Sequence, residues 1–212
     1  MTQDPAVADA RVSGLEIVRR PEELDVIRQA GVAAALWHRT PLPGVRHWMD
    51  SLPPDNLPYG RVVLHARAVR AAVTALCDGA GTPPGPERDM LIDDIAALAD
   101  IFAALSGSPY LRLRLDRVSG NACGRFHVDA VTVRLICTYR GPGTEYGEGQ
   151  GHDDSPREVF NAPTGAPLIL RGKLWPGHGT SGFLHRSPPV EGTGQTRLVL
   201  VLDPVAEPKA AR

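Results

Sequence analysis

Before Gly107 the apolar residues of this chain recur at helical spacing, and from Tyr110 onward they recur at every second position. That switch of period constrains the fold more than any other feature. In the second half Leu111, Leu113 and Leu115 alternate with Arg112, Arg114 and Asp116. The runs VTVRLICTY, APLILRGKLW, SGFLH and RLVLVLD follow, separated by turns containing Gly and Pro. In the first half Val62, Ala66, Val69, Val73 and Leu76 mark one amphipathic helix, and Leu91, Ile95, Leu98, Phe102 and Leu105 mark another. An earlier helix is expected from Pro21 to about His38, with Pro21 in its first turn and Glu22 and Glu23 near the positive end of its dipole. PLPGVRHWMDSLPPDNLP breaks helicity. GAGTPPGP reads as a loop, followed by the first-turn acids Glu87 and Asp89.

The expected fold class is α+β, with N-terminal helices packed on a C-terminal double-stranded β-helix, a jelly-roll, cupin-like barrel. A chain of 212 residues, 42% hydrophobic, can bury one sizeable core. One domain is expected over 15–205, mainly helical over 15–106 and β over 107–205, between disordered tails at 1–14 and 206–212.

The residues that carry chemistry lie in the β half. His127 and Asp129 stand in GRFHVDAVTVRLICTY and His185 stands in GFLHRSPP. Two imidazoles and one carboxylate can hold one face of a divalent metal and leave the other positions open, as in non-heme Fe(II) oxygenases. Alternate residues of a β-strand share a face, so His127 and Asp129 are expected to point the same way as Val131, Val133, Leu135 and Cys137, into an apolar interior. There a carboxylate and an imidazole are costly unless paired or bound to metal. The alternative is a hydrogen-bonded His/Asp pair in a barrel core. His38, His47 and His65 lie in the helical half, His152 in a Gly/Asp-rich loop and His178 in the turn PGHGTSG, so His185 completes the set best.

Arg197 opens the strand RLVLVLD, whose aliphatic run predicts burial on both faces. A buried guanidinium needs an anion, and its planar fork suits a carboxylate, so a small dicarboxylate between the metal and Arg197 is physically reasonable. An internal ion pair to Asp203 or Glu145 is the alternative. The spacing from His185 to Arg197 resembles the layout of Fe(II)/2-oxoglutarate oxygenases, in which a basic residue that far beyond the distal His binds the far carboxylate of the cosubstrate. That resemblance implies catalytic roles for His127, Asp129, His185 and Arg197, with Fe(II), or zinc in its place, and 2-oxoglutarate as cofactors.

Around this set, Tyr139 shares the parity of His127 and Asp129 and is a candidate to hydrogen-bond the keto acid, although a core tyrosine with a satisfied hydroxyl is the commoner case. Gly141, Pro142 and Gly143 form a reversal, and Arg140, Thr144, Glu145 and Tyr146 are candidates for a substrate mouth. Arg186 is expected on the opposite face from His185. His152, Asp153 and Asp154 form a second polar cluster, read as a solvated loop in preference to a second metal site. Cys77, Cys123 and Cys137 fit neither a disulfide framework nor a zinc site and read as buried thiols, with Cys123 or Cys137 as a candidate border of the metal site.

A net charge of −1 argues against nucleic acid as partner, and the basic residues are nearly all arginine, Lys173 and Lys209 being the lysines. No window of 18 apolar residues exists and MTQDPAVADARVSG lacks an apolar signal core, so no membrane partner and a cytoplasmic location are expected.

The segments HVDAVTVRLICTYRGPGTEY and HRSPPVEGTGQTRLVLVLD resemble the signature blocks of the bacterial domain of unknown function family 1826, over most of the chain to Asp203. Members are often encoded beside zinc-homeostasis genes, which implies a role under zinc limitation and a zinc-homeostasis protein as partner. Three functions fit: an Fe(II)/2-oxoglutarate-type oxygenase hydroxylating an unidentified substrate, a zinc reservoir or delivery protein using the same three ligands, and a zinc hydrolase with Glu145 as its only evident base.

Overall fold

The computed structural model describes residues 12–40, 42, 44–121, 123–149, 155–177 and 182–206. Its main sheet has seven strands. These are β1 (Leu15–Val18), β2 (Ala34–Trp37), β3 (Gly60–His65), β4 (Tyr110–Val118), β5 (Val133–Arg140), β8 (Leu168–Arg171) and β10 (Arg197–Pro204), in the order β1-β2-β8-β5-β10-β4-β3. Among the described strands only β1 and β2 pair in parallel. A second sheet holds β6 (Glu145–Glu148), β7 (Phe160–Asn161) and β9 (Phe183–Arg186) in the order β7-β6-β9, and His127 bridges to the free side of β9.

From β4 onward the chain therefore alternates between the two sheets: β4, the His127 bridge, β5, then β6 and β7, then β8, β9 and β10. This is the winding of a roll of two facing sheets. Ile136, Val199 and Val201 of the main sheet pack across the roll against Tyr146 and Phe183 of the small one. The alternate residues Leu135, Cys137, Leu198, Leu200 and Leu202 point the other way, into the larger core shared with the helices. Period 2 thus divides β5 and β10 between two apolar layers, which is why RLVLVLD reads as continuously hydrophobic.

On that outer layer lie α1 (Val45–Ser51), α2 (Val69–Gly79) and α3 (Pro86–Ser106). Helix α3 begins with Pro86 and the first-turn acids Glu87 and Asp89, and ends at Gly107, whose φ of 67° is the left-handed cap that glycine takes without strain. Leu91, Ile95, Leu98, Phe102 and Leu105 form its buried stripe, as their spacing predicts. Each such side chain contributes roughly 1.5–3 kcal/mol by leaving water.

The first half is less helical than its spacing implies. Pro21–Arg28 is a short 3-10 helix, and Ala34–Trp37, expected at the end of the same helix, is strand β2 between β1 and β8. Ala34, Ala35, Leu36 and Trp37 pair with the sheet once Gly31 turns the chain at φ 82°. Val62, expected in a helix, lies in β3, and the helix that follows starts at Val69. Val62 and Val69 face one core from two elements, so the helical spacing across them is coincidental. Of the two expected tails, residues 1–11 and 207–212 lie outside the described residues. Val12, Ser13 and Gly14, expected in the first tail, are described: Val12 is buried and Gly14 O accepts from Ala33 N and Ala34 N. No described helix is long and apolar enough to cross a membrane.

Candidate metal centre

His127 and His185 are brought together by backbone pairing. Each donates its N–H to the other's carbonyl, at 3.0 and 3.1 Å, so they are direct cross-strand neighbours with side chains on one face, ring centroids 4.6 Å apart. Asp129 is placed by a clamp from the turn that follows β8. Lys173 N donates to Asp129 O, Gly172 N to Thr132 O and Leu174 N to Val131 O, at 2.8 to 3.0 Å. A Cβ on Gly172 would strike the Val131 and Asp129 carbonyls, so the glycine of RGKLW is required by close approach.

The three donor sets converge. Their ligand atoms all lie within 4.8 Å of one another, with His127 Nε2 at 3.4 Å from Asp129 Oδ1 and His185 Nε2 at 3.1 Å from Asp129 Oδ2. His127 Nδ1 donates to Arg125 O at 2.8 Å, which turns its bare Nε2 toward the carboxylate when the ring is neutral. Arg134 Nη1 donates to Asp129 Oδ1, whereas Oδ2 is buried without a hydrogen bond, its approach to His185 lacking the required geometry. Two imidazole nitrogens facing an unsatisfied carboxylate oxygen fit a divalent cation, because the cation supplies the positive charge that their lone pairs would share.

The local electrostatics agree. The hydrogen bond with Asp129 raises the His127 pKa above its ordinary value against the effect of burial, so the carboxylate draws a proton where a metal would bind. Burial pushes Asp129 up, but His127, His185 and the Arg134 charge outweigh it and hold the carboxyl well below the usual range. Burial dominates at His185 and lowers its pKa, keeping the imidazole neutral. Arg134 is itself held by Asp203, at 2.7 and 3.0 Å.

Arg197 is buried and has no carboxylate within ion-pair distance among the described residues. Neither expected internal partner is available to it, since Asp203 pairs with Arg134 and Glu145 with Arg186. Its contacts are neutral: Nε donates to Pro142 O at 2.7 Å, Nη1 to Ser187 Oγ at 2.6 Å and Nη2 to Thr138 Oγ1 at 3.3 Å. Burial pulls its pKa down to about 10, with Glu145 partly opposing. Ser187 stands two residues beyond His185, so the guanidinium and the distal histidine share one strand end.

The other expected residues scatter. Tyr139 is not at the site: it faces the helices and its hydroxyl donates to Asp94 Oδ2 at 2.6 Å, beside the fork of Arg39. The chain crosses between sheets after Asp129, so parity does not carry from Asp129 into β5. For the same reason Val133, Leu135 and Cys137 face away from the triad, and Thr138 is the residue that reaches Arg197. Nor do Arg140, Thr144, Glu145 and Tyr146 form one mouth. Arg140 lies six residues along β5 from Arg134, roughly 20 Å from the triad end of the strand, where it donates to Leu52 O and lines a polar groove with Arg46 and Asp50.

Of the rest, Tyr146 lies inside the roll directly across from His185, stacked with Phe160 and Phe183, and Thr144 is buried nearby. Glu145 is turned outward to Arg186, whose guanidinium covers Phe126, so Arg186 faces away from His185 as alternation requires. Cys77 and Cys137 are buried, but Cys123 is exposed at φ 52°, its carbonyl accepting from Ser187 N. His47 lies on α1 and the His65 ring packs edge-on against Tyr110, both on elements away from the triad. His152, Asp153, Asp154 and His178 lie outside the described residues. Sequence reasoning missed Arg134, Thr138, Ser187 and Gly172, and it offered Asp203 to Arg197 where the structure pairs it with Arg134. The inward parity of Arg134 and Asp203 in their own strands was the available signal for that pair.

The family model of DUF1826, a protein of unknown function, matches residues 18–203. The chain belongs to this family. No curated protein matches it in sequence. Among solved structures it is similar to a C-terminally truncated protein of Neurospora crassa in its apo form, at 10% identity and a TM-score of 0.48 over 97% of this chain and all of that one. It is also similar to the dioxygenase for auxin oxidation of rice, at 18% identity and a TM-score of 0.45 over 89% and 79% of the two chains. The 2-oxoglutarate complex of that enzyme's Arabidopsis thaliana counterpart gives 14% and 0.44 over 82% and 76%. Likeness at that level speaks neither to the reaction nor to the substrate of this chain.

Proposed function

We propose that this DUF1826 protein is a non-heme Fe(II)/2-oxoglutarate-type oxygenase built on a double-stranded β-helix. The observation that supports this reading best is a pair of unmet polar groups flanking His185: the carboxylate oxygen Asp129 Oδ2 without a donor beside its ring, and the buried Arg197 guanidinium without an anion, bonded to Ser187 two residues further on. A metal dication and a dicarboxylate would satisfy both. His127, Asp129 and His185 would hold the metal through one face. Arg197, with Thr138 and Ser187 orienting its fork, would hold the far carboxylate of the keto acid. Bound Fe(II) would supply the redox chemistry that couples oxidation of 2-oxoglutarate to hydroxylation of a second substrate. The protein's part is to position the two reactants and keep their charges out of water.

No feature of the site favours zinc storage or delivery, and Glu145, the base a hydrolase would need, is turned away to Arg186. The test is metal analysis of protein purified without oxygen, then titration of the Fe(II) form with 2-oxoglutarate under nitrogen while the metal-to-keto-acid charge-transfer band is followed. Saturable growth of that band supports the reading. Tight zinc with no keto acid binding overturns it.

A further inference from the structure

Among the described residues only two buried side-chain polar atoms lack a hydrogen-bond partner, and they lie at the two ends of one chain of charges. The acceptor is Asp129 Oδ2. From Asp129 the chain runs through Arg134 to Asp203 and on to Arg114, whose Nε is the second such atom, a donor. Asp203 is already taken by the fork of Arg134, so Arg114 receives little from it: Nη2 stands at 4.0 Å from Asp203 Oδ2, and Nη1 at 3.7 Å from Asp116 Oδ2. Both distances exceed hydrogen-bond reach.

The register fixes which way these arginines point. Arg114 pairs across β4/β10 with Val201 and Arg112 with Asp203, residues on the face that carries the triad, and Arg61 of β3 pairs with Arg114. Directly opposed residues share a face, so Arg61, Arg112 and Arg114 form a stripe on the main sheet leading outward from the metal ligands. Arg61 and Arg112 are exposed and make no ion pair among the described residues. Asp116 is the one carboxylate interleaved with them on β4.

We propose that Arg114, rimmed by Arg112 and Arg61, is the binding site for an anionic group, carboxylate or phosphate, on the substrate presented to the metal. Its Nη1 and Nη2 donors, beyond hydrogen-bond reach of Asp116 and Asp203, offer the planar fork that such oxygens accept in pairs. The rim arginines raise the local concentration of anions before docking. The proposal rests on the oxygenase reading for the identity of the neighbouring metal, but the anion site itself is defined by the arginines alone.

The test uses the Zn(II)-loaded, 15N-labelled protein and follows the arginine Nε–Hε resonances, that of Arg114 being assigned by its loss in Arg114→Lys. Inorganic phosphate and acetate are titrated separately against chloride at equal ionic strength. The expected result is a saturable shift of the Arg114 resonance with one probe, which identifies the chemical source. Followed at Arg112, that affinity should fall roughly tenfold or more in Arg114→Lys, the cost of losing a charge-assisted hydrogen bond. Arg112→Gln should weaken binding roughly two- to fivefold, as suits an exposed charge, and keeps the question open to measurement if Arg114→Lys does not fold. No shift beyond that of chloride, or unchanged binding in the variants, overturns the proposal. So does an Arg114 resonance that moves only with 2-oxoglutarate. The Arg197 resonance reports separately on the cosubstrate: its silence toward 2-oxoglutarate beside a responding Arg114 sinks the oxygenase reading and leaves the anion site standing.

Discussion

Replacing Arg197 by Met separates the cost of burying this guanidinium from its use. Burial lowers its pKa to about 10, and a drop of that size from the ordinary arginine value corresponds to about 3 kcal/mol of destabilisation at ~1.36 kcal/mol per tenfold. The sign is fixed: the folded group holds its proton less tightly than the unfolded one, so the penalty is full at neutral pH and relieved only above about 10. Met removes that penalty but abandons the bonds to Pro142 O, Ser187 Oγ and Thr138 Oγ1, at about 1 kcal/mol each. The two effects nearly cancel. Arg197→Met should therefore leave the stability of the metal-free protein within about 2 kcal/mol of wild type by urea denaturation. The keto acid has no such offset. Its affinity should fall by roughly 2–5 kcal/mol, about 30-fold to several thousandfold, with Arg197→Lys recovering only part because an ammonium lacks the fork. The readout is the charge-transfer titration of the Fe(II) protein. A variant that loses more than about 4 kcal/mol of stability while binding 2-oxoglutarate normally would show Arg197 to be a structural anchor and refute the reasoning.

Single replacement of His127, Asp129 or His185 by Ala should each remove most bound metal with the circular dichroism spectrum unchanged; undiminished metal in any one variant takes that residue out of the site. Arg134→Met strands Asp203 and half of Asp129, so the metal-free protein should lose roughly 3–5 kcal/mol in chemical denaturation, and a loss below about 1 kcal/mol would deny the ion pairs their role. Gly172→Ala should push back the loop bearing Asp129, costing ~1–3 kcal/mol and lowering metal stoichiometry, whereas full metal occupancy would mean that the loop adapts. Tyr139→Phe should cost about 1–3 kcal/mol through its bond to Asp94 and leave metal and 2-oxoglutarate affinities as they are; a weakened keto acid would return Tyr139 to the site. A thiol reagent at neutral pH should label Cys123 alone, since burial pushes the Cys137 thiol up to about 12 and also raises Cys77, and more than one fast-reacting thiol contradicts this.

What was legible depended on how locally each element is decided. Helix α3 could be bounded from its own residues, because Pro86, the acids after it and Gly107 act within a turn. Strands β5 and β10 announced themselves by apolar runs buried on both faces. Strand β2 was hidden because VAAALW has no period of its own and is held in the sheet by the neighbours β1 and β8. Strands β6 and β7 are short and polar at their ends, and only pairing with β9 defines them.

The ligands were legible as residue types while their surroundings were not, for one physical reason. Reading His127, Asp129, Val131 and Val133 as one strand put Tyr139 beside the metal, but between Asp129 and Val133 the chain leaves the small sheet and enters the main one, and parity restarts. That crossing is what the site requires. A continuous strand would set His127 and Asp129 two positions apart on one rigid face, with His185 opposite only one of them. Because the chain turns after pairing His127 with His185, Asp129 swings into reach of both imidazoles while Gly172, Lys173 and Leu174 clamp its backbone from the turn after β8 and Arg134 of β5 takes one carboxylate oxygen. The triad is thus held from two sheets at once, and a rule that follows one strand cannot see the second support.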